Sequence, residues 1–282
     1  GDEGLGQVVG TLAIAGETMT VRLEAASPRL AVSGSGQIAL TDEMRAEMNF
    51  NVSDTSLDPY IRVFQPDLPP YTTAVVSGSI HVVGSLTNVD DLRVDTSVDA
   101  LDLRFFDYRL RNESPIKASM ERFTLRVNDM RLVGEDTELT LSGALDLHNQ
   151  SIAAQVGGAA NLAVLQGFVP NIRSSGRGSI QATVTGPMRS PGVSGAITLT
   201  DGRLRAFSLP HALENVTGVV RFDTRGVTLD ELTGRLGGGP VQFGGRIDID
   251  RYRPGRMDVT MRGEDMRLRF PEGMTSLVDA DL

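Results

Sequence analysis

Cysteine and tryptophan are absent from this chain, and Lys117 is its one lysine. Without a thiol there is no disulfide framework, no thiolate nucleophile and no cysteine-based zinc site. Arginine carries the remaining positive charge, and no run of basic residues occurs anywhere. The net charge of −9 at pH 7 excludes the cationic footprint with which a nucleic-acid binder displaces counterions, so no nucleic-acid partner is expected. It also repels anionic membrane surfaces, so contact with lipid has to be apolar rather than electrostatic. Long hydrophobic runs are missing too. The longest uncharged stretch, Leu147 to Ile172, is broken by Asn149, Gln150, Gln155, Gly157, Gly158, Asn161 and Pro170, too polar to span a bilayer as a helix. Gly1-Asp2-Glu3-Gly4 has neither the basic residues nor the apolar run of a secretory leader. Asp279-Ala280-Asp281-Leu282 reads as a strand cut in its middle, and the expectation is a fragment of a longer protein.

What is present is glycine, with 31 residues, and an apolar fraction of 40% of which aromatics are only a small part. That mix suits strands joined by tight turns better than a helical bundle. The apolar period is two. Val220-Arg-Phe222-Asp, Val227-Thr-Leu229-Asp, Ile247-Asp-Ile249-Asp, Met257-Asp-Val259-Thr-Met261-Arg and Met266-Arg-Leu268-Arg-Phe270 all alternate, giving each strand one apolar and one charged face. Turns are expected at Gly16-Glu17, Gly134-Glu-Asp136, Asp201-Gly202, Arg225-Gly226 and Gly237-Gly-Gly-Pro240. Strands this close in sequence pair antiparallel. Residues 57–64 and 161–168 instead carry apolar residues at near-helical spacing before Pro66 and Pro170, and one or two short helices are expected there.

Distant stretches also read alike. Leu139-Thr-Leu-Ser-Gly-Ala-Leu-Asp-Leu147 matches Val241-Gln-Phe-Gly-Gly-Arg-Ile-Asp-Ile249 at an offset of 102 residues. Ser77-Gly-Ser-Ile80 matches Arg177-Gly-Ser-Ile180, and Phe50-Asn-Val52, Ala154-Gln-Val156 and Val259-Thr-Met261 form a threefold set. A unit of roughly 100 residues recurs about two and a half times, as in an elongated stack. The expected divisions are 1–29 as the end of a preceding repeat, 30–138 and 139–249 as two repeats, and 250–282 as the start of a third. The alternating segments amount to about twenty strands, and a single sheet of them at ~4.8 Å per strand would run roughly 90–100 Å. Its apolar face has to be covered by a second sheet, by closure into a barrel, or by a ligand in a trough. Alternation alone leaves all three open.

Three stretches resemble the TamB family of large envelope proteins. They are Gly186-Pro-Met-Arg-Ser-Pro191-Gly-Val-Ser-Gly195-Ala-Ile-Thr-Leu, Leu232-Thr-Gly-Arg-Leu-Gly-Gly-Gly-Pro-Val-Gln-Phe-Gly-Gly-Arg-Ile, and Leu268-Arg-Phe-Pro-Glu-Gly-Met-Thr-Ser-Leu-Val-Asp-Ala-Asp-Leu282. The likeness is best over residues 139–282. It implies an all-β, elongated, taco-shaped β-groove, a U-shaped and solenoid-like stack of antiparallel strands that is apolar inside and polar outside. It further implies a periplasmic segment of a protein anchored in the inner membrane by a part outside this fragment. Such a protein is an AsmA-like bridge-type lipid conduit, carrying phospholipid acyl chains between inner and outer membranes. An outer-membrane Omp85-type barrel is the implied partner, through regions outside this chain. The competing reading is a scaffold for assembling outer-membrane proteins with such a barrel, by strand addition at a sheet edge.

Residues that could carry other chemistry have plainer explanations. His81, His148 and His211 are far apart and lack a metal-ligand spacing, so surface or turn positions are expected and no metal site. Asp248 and Asp250 flank Ile249 as a glycosidase pair might, yet they fall on the charged face of a strand. The glycine clusters lack the lysine of a phosphate loop, and no Gly-x-Ser-x-Gly occurs. No catalytic residue and no cofactor is expected; the chain reads as a non-enzyme. The apolar stripe alone has functional content, its plain alternative being a sandwich core. Its candidate lining residues are Ile80, Val82, Leu141, Leu145, Ile197, Leu199, Val220, Phe222, Val241, Phe243, Ile247, Val259 and Met261.

Overall fold

Alternation of apolar and polar side chains favours extended backbone, where successive Cβ atoms point to opposite faces. The computed structural model describes residues 6–27, 29–59, 71–105, 107–163, 171–206, 211–250, 253–269 and 275–281, and most of them lie in strands. Eighteen strands form one antiparallel sheet, and the other element is a 3-10 turn at Val89–Asp91. The all-β class expected from the sequence is present. Among the described elements there is no α-helix, and none long and apolar enough to cross a membrane. Of the short helices expected over 57–64 and 161–168, residues 60–64 and 164–168 lie outside the described residues; Asp58 and Pro59 have helical backbone, Asn161 ends β11, and Leu162 and Ala163 make a 3-10 turn.

The chain divides into two compact units, Gly1–Val133 with Thr140–Ile152, and Gly134–Leu139 with Ala153–Leu282. The first contains β1 (Gln7–Ala15), β2 (Thr18–Ser27), β3 (Leu30–Ala39), β4 (Arg45–Ser56), β5 (Thr72–Ser85), β6 (Arg93–Phe105), β7 (Tyr108–Asn112), β8 (Ile116–Glu121) and most of β9 (Thr124–Gly134). β1 to β6 pair each with the next. β6 then takes two short strands end to end, β8 over Arg93–Val98 and β7 over Asp102–Phe105. Asn112 closes the gap between them. Its Oδ1 accepts a bond from the Leu101 amide at 2.7 Å, and its Nδ2 donates to the Asp99 and Ser114 carbonyls at 3.1 and 2.9 Å. The side-chain amide thus satisfies backbone groups where the ladder is interrupted beside Pro115, which has no N–H to give.

β10 (Thr137–Asp146) and β11 (Ser151–Asn161) contribute residues to both units. The second unit continues through β12 (Ile172–Pro187), β13 (Gly192–Ala206), β14 (Leu213–Asp223), β15 (Gly226–Leu236), β16 (Gly239–Asp250), β17 (Arg253–Arg269) and β18 (Thr275–Asp281), again paired in chain order. The sequence-matched stretches fall on strands in the same succession. Phe50, Ala154 and Val259 lie in β4, β11 and β17, and Leu139 and Val241 in β10 and β16. With β7 and β8 taken as one interrupted strand, the matched stretches stand six strands apart.

Four of the five expected turns join strands as anticipated, at Gly16-Glu17, Glu135-Asp136, Arg225 and Gly237-Gly238. Asp201-Gly202 is different: it lies inside β13 as a bulge, with Asp201 at φ +53° and the register slipping between Leu199 and Gly202. A short polar residue in left-handed backbone is the signature of a turn and of a bulge alike.

Two hairpin turns are held by carboxylates. Asp223 Oδ1 accepts bonds from the Arg225 and Gly226 amides at 2.7 and 3.0 Å. Asp146 accepts from the Asn149 backbone at 2.8 Å and from its side chain at 2.8 Å. The backbone bond from Arg225 chiefly holds the Asp223 carboxyl below its ordinary value, and the backbone bond from Asn149 does the same at Asp146. A depressed carboxyl pKa contributes stability above the unfolded value and loses it as pH falls through the folded one. In an NMR titration the Arg225 and Gly226 amides are therefore expected to shift with a midpoint below 3.8. A midpoint at or above that value contradicts the turn assignment.

Candidate functional site

Antiparallel partners share a face, so the strand registers assemble the apolar positions into rows across the sheet. In the first unit one row reads Leu12, Val21, Gly36, Met48, Val82, Val94, Met120, Leu125. The adjacent row reads Gly10, Leu23, Gly34, Phe50, Ile80, Thr96, Ala118, Val127. In the second unit Ile180, Ile197, Val220, Leu229, Gly245 and Val259 make one row, and Ala182, Gly195, Phe222, Val227, Ile247 and Met257 the next. Leu232, Phe243 and Met261 align beyond them. No charged side chain stands in any of these rows, and Thr96 is their one polar member.

The other face carries the charge. Its row beside Val220 reads Gln181, Ala196, Arg221, Thr228, Arg246, Asp258. Arg221 pairs with Asp230, and Arg246 with Asp248 at 3.1 Å and Asp223 at 3.8 Å. In the first unit Arg93 meets Asp95 at 2.9 Å and Glu121 at 3.1 Å, and Arg109 pairs with Asp102. Hydrogen bonding to Asp95 and to Asp102 raises the pKa of Arg93 and Arg109 respectively. These pairs are solvent-exposed, so each adds little stability. Their consequence is to make one face wettable.

All thirteen candidate lining residues are described. Ile80 and Val82 take their places in the rows of the first unit, and Leu141 and Leu145 occupy alternate positions of β10. Ile197, Val220, Phe222, Phe243, Ile247, Val259 and Met261 lie in the second-unit rows, Leu199 is paired with Gly178 and Gly218, and Val241 with Gly234 and Gly263. Only Leu199 and Val241 are buried, at 5% and 4% exposure, and the other eleven are half-buried. One deeply buried cluster joins neighbouring strands, and the other also takes in Leu162, which follows β11 outside the strands. The first is Val21, Ile38, Ala46 and Met48 on β2 to β4; the other includes Leu199, Val216 and Leu232 on β13 to β15.

The two most deeply buried side chains, Met266 and Val216, are not on the candidate stripe. Met266, at 0% exposure, Val216 and Leu232 follow bulges that upset a strict count of two. Leu229 pairs with Gly245 and Leu232 with Phe243, so the extra residue keeps both leucines on one face, with Glu231 in left-handed backbone at φ +46°. Asp265, at φ +52°, does the same between Gly263 and Met266, and Asp54, at φ +43°, between Val52 and Thr55. Polar side chains brace the bulges. Asn215 Nδ2 donates to Asp201 Oδ1 at 2.6 Å, Asp54 N to Ser77 Oγ at 2.9 Å, and Asp265 N to Asp279 Oδ1 at 2.8 Å. The signal for them in sequence is a lone Asp, Asn or Glu where alternation slips by one.

The histidines are separately engaged. His81 Nδ1 is 2.8 Å from Asn49 Oδ1, His211 Nε2 accepts from the Arg269 amide at 2.7 Å, and His148 is exposed. Among the described residues no group of His, Asp and Glu is placed to hold a metal. Asp248 is exposed beside Arg246, as its place on the charged face requires.

Comparison of the chain with protein-family models, with curated proteins and with solved structures finds no match. The bulge at Glu231 gives a direct check on the face assignment. Glu231→Gly is expected to melt at or above the wild-type temperature, whereas Glu231→Val, β-branched at positive φ, is expected to lose about 1–2 kcal/mol in denaturant titration. Equal stability of the two variants contradicts the left-handed bulge.

Proposed function

We propose that this chain is a periplasmic segment of an envelope lipid conduit of the TamB kind, shielding phospholipid acyl chains on its apolar face between inner and outer membranes. One observation carries the reading: each unit has continuous uncharged rows of its own, and eleven of the thirteen candidate residues are only half-buried. A closed sandwich would bury them. An acyl chain laid along the rows completes their burial at roughly 0.8 kcal/mol per methylene group. Length supports this too. The eight-strand row of the first unit runs about 34 Å at ~4.8 Å per strand, more than twice the ~15 Å of one leaflet of a bilayer core. Bulges on successive strands, at Asp201, Asn215 and Glu231, bend β13 to β15 together, which supports a curled, taco-like sheet.

The lining suits transport rather than capture. Aliphatic side chains give an acyl chain burial without a directional bond, so it can slide, and the absence of charge leaves head groups outside and weakly discriminated. No catalytic step is part of this proposal. The barrel partner and the inner-membrane anchor belong to regions beyond this chain.

Photocrosslinkers placed singly along β14 and β17 test the reading. Lipid adducts are expected at Val220, Phe222, Val259 and Met261, and not at Arg221, Asp223, Asp258 or Thr260. Equal labelling of both sets would sink a one-sided acyl face. A second check is Phe243→Asp. On an open face the carboxylate reaches water, so the variant is expected to fold, losing only the ring's packing on the cluster of Leu199, Val216 and Leu232, while losing crosslinks. In a dry core an unpaired charge costs several kcal/mol and would unfold the sheet.

A further inference from the structure

Glycine weakens a strand by roughly 0.5–1 kcal/mol relative to alanine, yet on this face it recurs inside strands rather than at turns. Gly10, Gly34 and Gly36 lie in the rows of the first unit, and Gly178, Gly195 and Gly263 on the apolar face of the second. Several have a large side chain lying across them. A Cβ on Gly34 would stand 2.7 Å from Phe50 Cε1 and 3.4 Å from Cγ, with no backbone atom among its closest neighbours. On Gly263 it would meet Met266 Sδ at 2.7 Å and Val241 Cγ1 at 2.9 Å. On Gly178 and Gly202 it would meet the two methyl carbons of Leu162, each at 3.0 Å, and on Gly218 Leu232 Cδ2 at 2.8 Å.

Side chains on a strand normally stand away from the sheet. Here the missing Cβ opens a hollow into which the ring of Phe50, the thioether of Met266 and the branch of Leu162 lie down. We infer that these glycines set the clearance of the apolar face: by laying the bulky side chains flat they keep the space above the rows free, and that space is what an acyl chain occupies. The inference rests on the lipid reading and adds which residues determine the calibre. Any side chain at Gly34 would lift Phe50 into the path, next to Ile80 in the same row.

Gly34 gives the test, because the three atoms that a Cβ there would meet first all belong to one removable ring. The 282-residue chain, free of detergent, is exposed to palmitic acid carrying a terminal diazirine, and labelling of the Leu23–Ile80 row is read by peptide mass spectrometry. In parallel, carbon-13 glycine labelling reports whether the Gly34 α-protons are shifted upfield by the Phe50 ring. Wild type is expected to be labelled and shifted. Gly34→Ala is expected to lose labelling of that row roughly tenfold, and Gly34→Ala with Phe50→Ala to recover it. Unchanged labelling in Gly34→Ala, or no recovery in the double variant, overturns the inference. If Gly34→Ala does not fold, the double variant decides. Folding with wild-type labelling supports the role, and failure to fold shows that the backbone, not the ring, needs the glycine. Labelled wild type with unshifted Gly34 protons defeats this inference alone. Shifted protons with an unlabelled wild type defeat the lipid reading and leave the packing intact.

Discussion

Everything in this structure depends on register. In an antiparallel sheet a slip of one residue carries every side chain of a strand to the opposite face. Here such a slip would place Arg221, Arg246 and Asp258 among Val220, Phe222 and Val259. The cost of setting unpaired charges among apolar groups fixes the pairing more firmly than any single contact does. It also explains why bulges are tolerated. Each extra residue at Asp54, Glu231 or Asp265 restores the apolar face after a local count of three, so the faces persist even where the strand period does not.

A sheet so divided poses a solvation problem that small clusters do not solve. The buried residues gather between adjacent strands, with Val21, Ile38, Ala46 and Met48 in one unit and Leu199, Val216 and Leu232 in the other. Around them the rows stay half open to water. Contiguous apolar surface beyond a few hundred Å² marks a site of association in soluble proteins. The glycines make sense in the same terms, since they lower the side chains instead of filling the space above the sheet. Charge sits on the reverse face, in exposed Arg–Asp pairs that keep that side wet.

Much of this was legible in the sequence, because period two is a local property. Val220-Arg-Phe222 and Val259-Thr-Met261 announce both strand and face, and the turns at Gly16-Glu17, Arg225-Gly226 and Gly237-Gly238 fall where strands end. The failures share one cause. Asp201-Gly202 looks like a turn because left-handed backbone selects the same residues in turns and in bulges. Leu232 and Met266 escaped the candidate stripe because the bulges before them reverse a strict count. The glycines suggested turns, and many instead lie in mid-strand under a bulky side chain, a contact that the local sequence does not announce. Asn112, which stitches β6 across the gap between β7 and β8, likewise acts on β6 through Leu101 and Asp99, eleven and thirteen residues away.

The central claim is that lipid, rather than protein, completes the apolar face. Native mass spectrometry of the chain purified without detergent, followed by organic extraction, tests it most directly. The account predicts protein carrying phospholipid adducts of mixed head group and ordinary acyl length. A bare chain mass, with no lipid in the extract, would contradict it.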